Sequence, residues 1–414
     1  MEASLVFRRV YTKAALAVLW PAGMEAPLTF PIYRAAFSGL LAMFISIGVA
    51  RFGYGPLVPA LVGAHWYSAT AAFWLGAVNL LGYFFGAALM RGWRGSFAAK
   101  PVVVALMAAT AISLLASALD WGVLWFGFWR LVSGVTGGVL MVLMAAAVVG
   151  RAPASQKGRV GGITFAGMGS GITLSSLLIP LMVAHGLVFT WAVLGVLGVV
   201  ATIIVAALMP ASTITAAPRQ AGGTKMSRPV LLLIAAYAGS ALGFVPHMLF
   251  WASFVAIGLH RGITAGAEVS AWLGVAAAIG PVILGRVADR FGFLPTLLTG
   301  YLVMAGAVAL PIFNDSPVAL IISAVGVGAV ALGSVMLAAG AIAGLSAPGR
   351  LAANWGAATM AYAVMQAAIA AGFSSLYHAT GSFLLLFTIG SVCLVACVGL
   401  LVAAMRAAKE AAAF

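Results

Sequence analysis

From residue 32 onward the chain is a succession of long apolar runs separated by short breaks rich in Pro, Gly, Arg and Lys. Six runs, at 32–60, 69–90, 101–119, 121–150, 160–183 and 187–208, precede a polar stretch from Pro210 to Arg228. Six more follow, at 229–257, 268–286, 294–311, 318–345, 352–376 and 382–405. At 1.5 Å per residue each run reaches across a hydrocarbon core of about 30 Å. The runs are unbroken and do not alternate apolar with polar, so they predict helices and exclude a membrane β-barrel. The expected fold is an all-α integral membrane protein of twelve transmembrane helices in two six-helix bundles. Its expected divisions are an extension at 1–30, bundles at 31–208 and 229–405, a linker at 209–228 and a tail at 406–414. Arg8, Arg9 and Lys13 precede a short apolar stretch that Pro21 ends, which reads as an extension lying at the membrane interface and not as a cleaved signal.

Composition agrees with the pattern. Of 414 residues 64% are hydrophobic and 7% charged, whereas soluble domains carry about a quarter charged residues. A net charge of +14 would raise the question of nucleic acid if it were spread over a surface. With the N-terminus inside, however, 18 of the 21 Lys and Arg fall on one side of the membrane. That asymmetry is the positive-inside rule; it predicts both termini in the cytoplasm, here of a bacterial inner membrane, and no nucleic-acid partner. Cys393 and Cys397 lie one helical turn apart with no further ligand nearby and read as apolar filler, so no metal is expected.

The halves echo each other. Phe52-Gly53-Tyr54-Gly55-Pro56 in the first run corresponds to Leu242-Gly243-Phe244-Val245-Pro246 in the seventh, and Gly86 to Arg91 corresponds to Gly285 to Arg290. Such matching order is typical of the duplicated halves of transporters. The segment Gly285-Arg286-Val287-Ala288-Asp289-Arg290-Phe291-Gly292 resembles the G-x-x-x-D-R-x-G signature of the major facilitator superfamily. Arg130 with Gly134 resembles that superfamily's R-x-x-x-G pattern. ARFGYGPLVPAL in the first run and GITFAGMGSGI at Gly162 to Ile172 further resemble its YbfB/YjiJ branch. The resemblance implies a conformational gate at Gly285, Asp289 and Arg290, in a loop after the eighth helix, with Asp289 facing Ala352 to Asn354 at the start of the eleventh. It also implies a central cavity lined by helices 1, 4, 7 and 10. Met90 stands where the first-half copy of the signature has its acid, so that half's latch is in doubt.

The candidate site begins with two arginines. The seven acids, Glu2, Glu25, Asp120, Glu268, Asp289, Asp315 and Glu410, all fall in predicted loops or tails, so none neutralises Arg51 or Arg130 within a span. A cation near mid-membrane costs about 2.5–3.5 kcal/mol on the insertion scale, and arginine cannot shed its proton. By depth Arg51, Arg130 and His247 share one layer, which reads as a site for an anionic small-molecule substrate. Bland alternatives stand beside this: snorkelling, carbonyls freed by Pro56 and Pro59, or a helix–helix anchor. His247 is the proton-coupling candidate. Tyr54, Asn79 and Gln366 complete the predicted substrate-binding set, with Asn354, Tyr237 and Tyr362 as further polar residues within spans. Glycines 162, 167, 169 and 171 mark close packing of the fifth helix.

The function expected is therefore secondary active transport of a small organic anion, such as a monocarboxylate, by alternating access, with proton symport or anion exchange. The alternative is a proton-linked exporter of amphipathic compounds, with Trp74, Phe84 and Trp251 as contacts. No G-x-x-x-x-G-K-[ST] loop is present, so ATP is not the driver. An intramembrane enzyme would need a catalytic cluster that the spans lack. No cofactor is expected; the partners expected are the substrate, a proton and the lipid bilayer, and the protein is expected to act as a monomer.

Overall fold

The computed structural model describes residues 30–93, 95–153, 156–215, 226–347 and 350–412. The extension basic residues Arg8, Arg9 and Lys13, together with Arg94, Arg219 and Lys225, lie outside the described residues. Among the described residues twelve helices are long and apolar enough to cross a membrane. They are α1 Pro31–Gly63, α2 Ala69–Gly92, α3 Ala99–Ala116, α4 Val123–Val149, α5 Lys157–Val183 and α6 Leu187–Leu208. The second half holds α7 Arg228–Gly258, α8 Gly262–Phe291, α9 Phe293–Phe313, α10 Pro317–Leu345, α11 Ala353–Thr380 and α12 Phe383–Glu410. Leu124, Leu181, Ile203 and Val392 are exposed on the outside of the bundle, as lipid contact requires.

The helices form two six-helix bundles. In the first, α2 packs on α4, α1 on α5 and α6, and α3 on α4 and α6. In the second, α8 and α9 pack on α10, α9 on α12, and α7 on α11 and α12. The bundles meet along two seams, α2 against α11 and α5 against α8. They also meet where Tyr54–Gly63 of α1 packs on α7 and α8. An even number of spans puts Phe30 and Ala412 on one face, the terminal face; the α1–α7 contact lies toward the opposite, far face.

Close approach explains part of the motif pattern. A Cβ on Gly134 would come within 2.0 Å of the Asn79 carbonyl, and one on Gly138 within 2.3 Å of the Tyr83 carbonyl. The glycines after Arg130 therefore let α4 lie directly on the backbone of α2. On α5, Gly167 and Gly171 meet α1 inside the bundle and Gly169 meets Ala278 of α8 across the seam, while Gly162 touches nothing.

Two features differ from the expectation. The eighth helix was expected to end at 286, with the gate signature in a loop. It runs instead through Asp289 and Arg290 to Phe291, because charges do not end a helix; Gly292, at φ +90°, does. A small antiparallel sheet, unexpected from the hydrophobic pattern, pairs β1 Ser96–Ala98 with β2 Thr213–Thr215. Arg151 donates to the Thr213 carbonyl at 2.7 Å, and Arg34 donates to the carbonyls of Ala207 and Leu208 at the end of α6. The start of the linker is thus fastened to the first bundle.

Candidate substrate-binding site

Both halves of the repeat widen the helix that carries them. In α1 the backbone is π-helical over Phe44–Phe52, and the Gly53 amide bonds the Gly48 carbonyl at 3.0 Å. In α7 the π turns are Pro246–Phe250 and Phe254–Gly258. Proline supplies no amide hydrogen to the preceding turn, and Pro56 and Pro246 each sit at the edge of a widened turn. The two widened regions face each other, with the Phe52 and Phe244 rings 5.9 Å apart and Gly55 against the Met248 carbonyl.

Arg51 lies in this region of α1, twelve residues before Gly63 and so about 18 Å from the far end of the helix. The side chain is not turned toward that end. Its guanidinium crosses to the second bundle, where it donates to Gln366 Oε1 on α11 and lies 4.0 Å from the Met248 sulfur on α7. It also lies 4.2 Å from the centre of the Tyr83 ring on α2, a cation–π contact. Gln366 is pinned in turn by its amide nitrogen, 3.5 Å from the Met248 sulfur. Although it sits deep between the bundles, Arg51 is only half-buried, and its Nε has no partner.

Arg130 has a different environment. Its Nη1 donates to the Ala50 carbonyl in α1 at 2.6 Å, and its guanidinium lies 4.0 Å over the Tyr54 ring. Tyr54 donates to the Ala72 carbonyl at 2.7 Å; Asn79 donates to the Arg130 carbonyl and to Ser133 Oγ. Arg130, Tyr54 and Asn79 are 2%, 1% and 1% exposed. The three residues, expected to bind substrate, are gathered here in a cluster inside the first bundle. A carbonyl and a ring face occupy part of the Arg130 guanidinium, while Arg130 Nε and Asn79 Oδ1 are buried without a partner among the described residues.

His247 is also drawn away from Arg51. Ser323 donates to the Ala307 carbonyl at 2.6 Å, so the proton between Ser323 and His247 Nε2, 2.8 Å apart, belongs to the histidine. The ring stacks on Trp251 at 4.3 Å and meets Phe387 edge-on, at 3% exposure. The single layer expected for Arg51, Arg130 and His247 is therefore divided. Arg51 and Gln366 meet at the seam, the Arg130 cluster lies in the first bundle, and His247 lies in the core of the second.

At the terminal face Gly285 is half-buried, Arg290 lies 5.4 Å from the Phe291 ring centre, and Asp289 is exposed and forms no ion pair among the described residues. Among the described residues no hydrogen bond or ion pair joins it to the start of α11, where Asn354 donates to Ser346 Oγ. At the far face the bundles are closed by aromatic rings. Phe73 of α2 packs on Phe250, Tyr377 and Phe383 at 4.3, 4.9 and 6.1 Å, and Thr70 meets His378 at 3.3 Å. A cavity of about 660 Å³ opens beside this plug, among Phe254, Asn314, Asp315, Tyr377 and Phe383, and holds none of the predicted site residues.

Sequence reasoning missed Tyr83 and Met248. The one available signal was helical spacing: Tyr83 follows Asn79 by four residues and so shares its face of α2. Met248 looked like core filler, and only the approach of α7 to α1 gives it a polar neighbour.

A family model described as uncharacterised MFS-type transporter YbfB matches residues 43–402. The chain belongs to this family of the major facilitator superfamily. No curated protein matches it by sequence. Among solved structures, the peptide transporter POT, a mutant in complex with sulfate, is similar at a TM-score of 0.73 and 13% identity, covering 96% of this chain and 99% of that one. A mutant of the nucleoside transporter NupG gives 0.72 and 11%, covering 90% and 99%. The human organic anion transporter MFSD10 (TETRAN) gives 0.65 and 16%, covering 90% and 99%. Identities this low establish the fold alone. The family member described here is a multi-pass membrane transporter and not an enzyme.

Proposed function

We propose that the protein is a secondary active transporter of a small organic anion, working by alternating access through proton symport or anion exchange, with Arg51 as the group that binds the anion. One observation carries the reading. Arg51 is a permanent, half-buried cation at the seam of the two bundles, held by an amide and a ring face with no carboxylate beside it among the described residues. A cargo carboxylate would supply the missing counter-charge through charge-assisted hydrogen bonds. Because the site is shared by α1 and α11, binding there ties the bundles at 31–208 and 229–405 together, as a carrier that rocks around its cargo requires.

The closed aromatic plug at the far face and the unpaired Asp289 at the terminal face support a state open toward the terminal face. By the charge asymmetry that face is the cytoplasmic one of a bacterial inner membrane. His247, enclosed by Ser323, Trp251 and Phe387, is a weak proton carrier in this state; an anion entering with its own proton, or exchanged for another anion, needs none.

Uptake of radiolabelled carboxylates into proteoliposomes, with and without a pH gradient, tests the proposal. Saturable uptake lost in Arg51→Ala supports it. Carboxylate uptake that survives Arg51→Ala overturns it. The exporter of amphipathic compounds is favoured instead if flux of a neutral amphiphile is saturable and indifferent to Arg51. Of the three contacts expected for that exporter, Trp74 lies on the exposed surface, Phe84 is half-buried and Trp251 is buried in the second bundle.

A further inference from the structure

We infer, resting on the reading of Arg51 as the anion site, that the cargo carries a flat aromatic ring beside its carboxylate. The ring centres of Tyr83 and Phe52 lie 4.2 and 5.4 Å from the Arg51 guanidinium, beside Gln366 and Met248. Tyr83 lies beneath the guanidinium from the first bundle. From the second bundle Tyr362 of α11 stacks on Tyr237 of α7, with centroids 4.8 Å apart and planes 25° apart, and Tyr237 continues to Trp355 at 5.9 Å. Tyr83 meets Arg51 directly, and Tyr362 precedes Gln366, the partner of Arg51, by four residues and so shares its face of α11, which puts rings from opposite bundles on the two sides of the seam. Tyr83, Tyr362 and Trp355 are half-buried while Tyr237 behind them is buried, so the row has a backed side and an open side.

The hydrogen-bonding inventory points the same way. A polyhydroxylated anion needs several planar amides or carboxylates to engage vicinal hydroxyls. Around Arg51 there is one amide, Gln366, already engaged by Arg51 and Met248. Asn79 is committed to the Arg130 carbonyl and Ser133, and Asn354 to Ser346. A short aliphatic acid would satisfy Arg51 and leave the tyrosine faces to water. An aromatic acid uses both, with its carboxylate on Arg51 and its ring between Tyr83 and Tyr362. That placement would grip one bundle by each face of the cargo.

Binding of radiolabelled benzoate to the full-length protein in nanodiscs, with acetate, gluconate, cyclohexanecarboxylate and benzamide as competitors, tests this inference. Benzoate is expected to compete at concentrations about tenfold below those of acetate and gluconate. Tyr362→Ala and Tyr83→Ala are each expected to weaken benzoate about five- to tenfold and leave acetate unchanged, while Tyr362→Phe, which keeps the ring and the packing, stays within about twofold of the parent. Equal competition by acetate, gluconate or cyclohexanecarboxylate overturns the inference and leaves Arg51 as an anion site. So does equal weakening of all carboxylates in the tyrosine variants, or an absence of saturable benzoate binding while acetate still shifts the melting temperature. Benzamide competing as well as benzoate, together with an Arg51→Gln variant that binds benzoate unchanged, overturns the underlying anion reading. So does a melting temperature unmoved by every carboxylate.

Discussion

Arg51 and Arg130 start from the same problem, an arginine within a membrane span and no acid to meet it, and the two regions around them solve it differently. Around Arg130 the first bundle closes completely. A carbonyl from α1 and the Tyr54 ring meet its side chain, the Asn79 amide meets its main-chain carbonyl, and the residue is 2% exposed. Around Arg51 the groups belong to different bundles and the residue stays half-buried; the Nε of both arginines is buried without a partner among the described residues, so the two differ in where their partners sit. A cation inside a bundle can be satisfied by that bundle for good. One at a moving seam has partners that separate when the bundles rock, so it keeps capacity for something that enters and leaves. Residue type and depth are nearly the same for the two; whether the neighbours move together makes the difference.

The largest effect that would sharpen this contrast is steric. Gly134→Val forces a side chain onto the Asn79 carbonyl, 2.0 Å from where its Cβ would stand. The α2–α4 contact that holds the sealed cluster is expected to lose about 3 kcal/mol, at the upper end for overpacking. Thermal unfolding in detergent, followed by the intrinsic fluorescence of the tryptophans, reads it. Next is Arg130→Ala, expected to cost about 2 kcal/mol of stability: the cavity and the orphaned Ala50 carbonyl outweigh the relief of removing a buried charge. Arg51→Ala is expected to do the reverse, moving stability by less than about 1 kcal/mol while reducing carboxylate uptake about tenfold or more, the worth of a charge-assisted hydrogen bond. If Arg51→Ala unfolds the protein as much as Arg130→Ala does, the contrast breaks.

Smaller effects follow. Gln366→Ala removes the group that holds Arg51 in place and is expected to raise the uptake KM about threefold to tenfold, with stability almost unchanged, since one neutral partner is worth about 1 kcal/mol. His247→Gln is expected to leave the pH profile of uptake where it was, because the ring is enclosed by Ser323, Trp251 and Phe387. A displaced profile would return His247 to the transport path.

Much of the architecture was legible in advance. Twelve apolar runs, the polar break at Pro210 to Arg228 and the repeated Gly-Pro segments follow from local chemistry, because a lipid environment obliges each span to satisfy its own backbone. The end of α8 was misjudged because the loss of apolar residues after Arg286 marks the membrane boundary, whereas the helix stops only at Gly292. The strands at Ser96–Ala98 and Thr213–Thr215 were not legible, since three residues give no periodicity and their partner lies in a distant segment.

The candidate site divides in the same way. That Arg51 and Arg130 are permanent charges in greasy helices without acids is a property of the sequence, decided by composition and span length. Which of the two stays open was decided by tertiary structure. The Ala50 carbonyl that occupies Arg130 and the Gln366 and Tyr83 that flank Arg51 arrive from other helices, along directions that only the packing of α1 against α2, α4, α7 and α11 defines. Depth in the membrane is additive along one helix and can be counted residue by residue. Facing is a relation between helices, and the periodicity of one of them does not contain it.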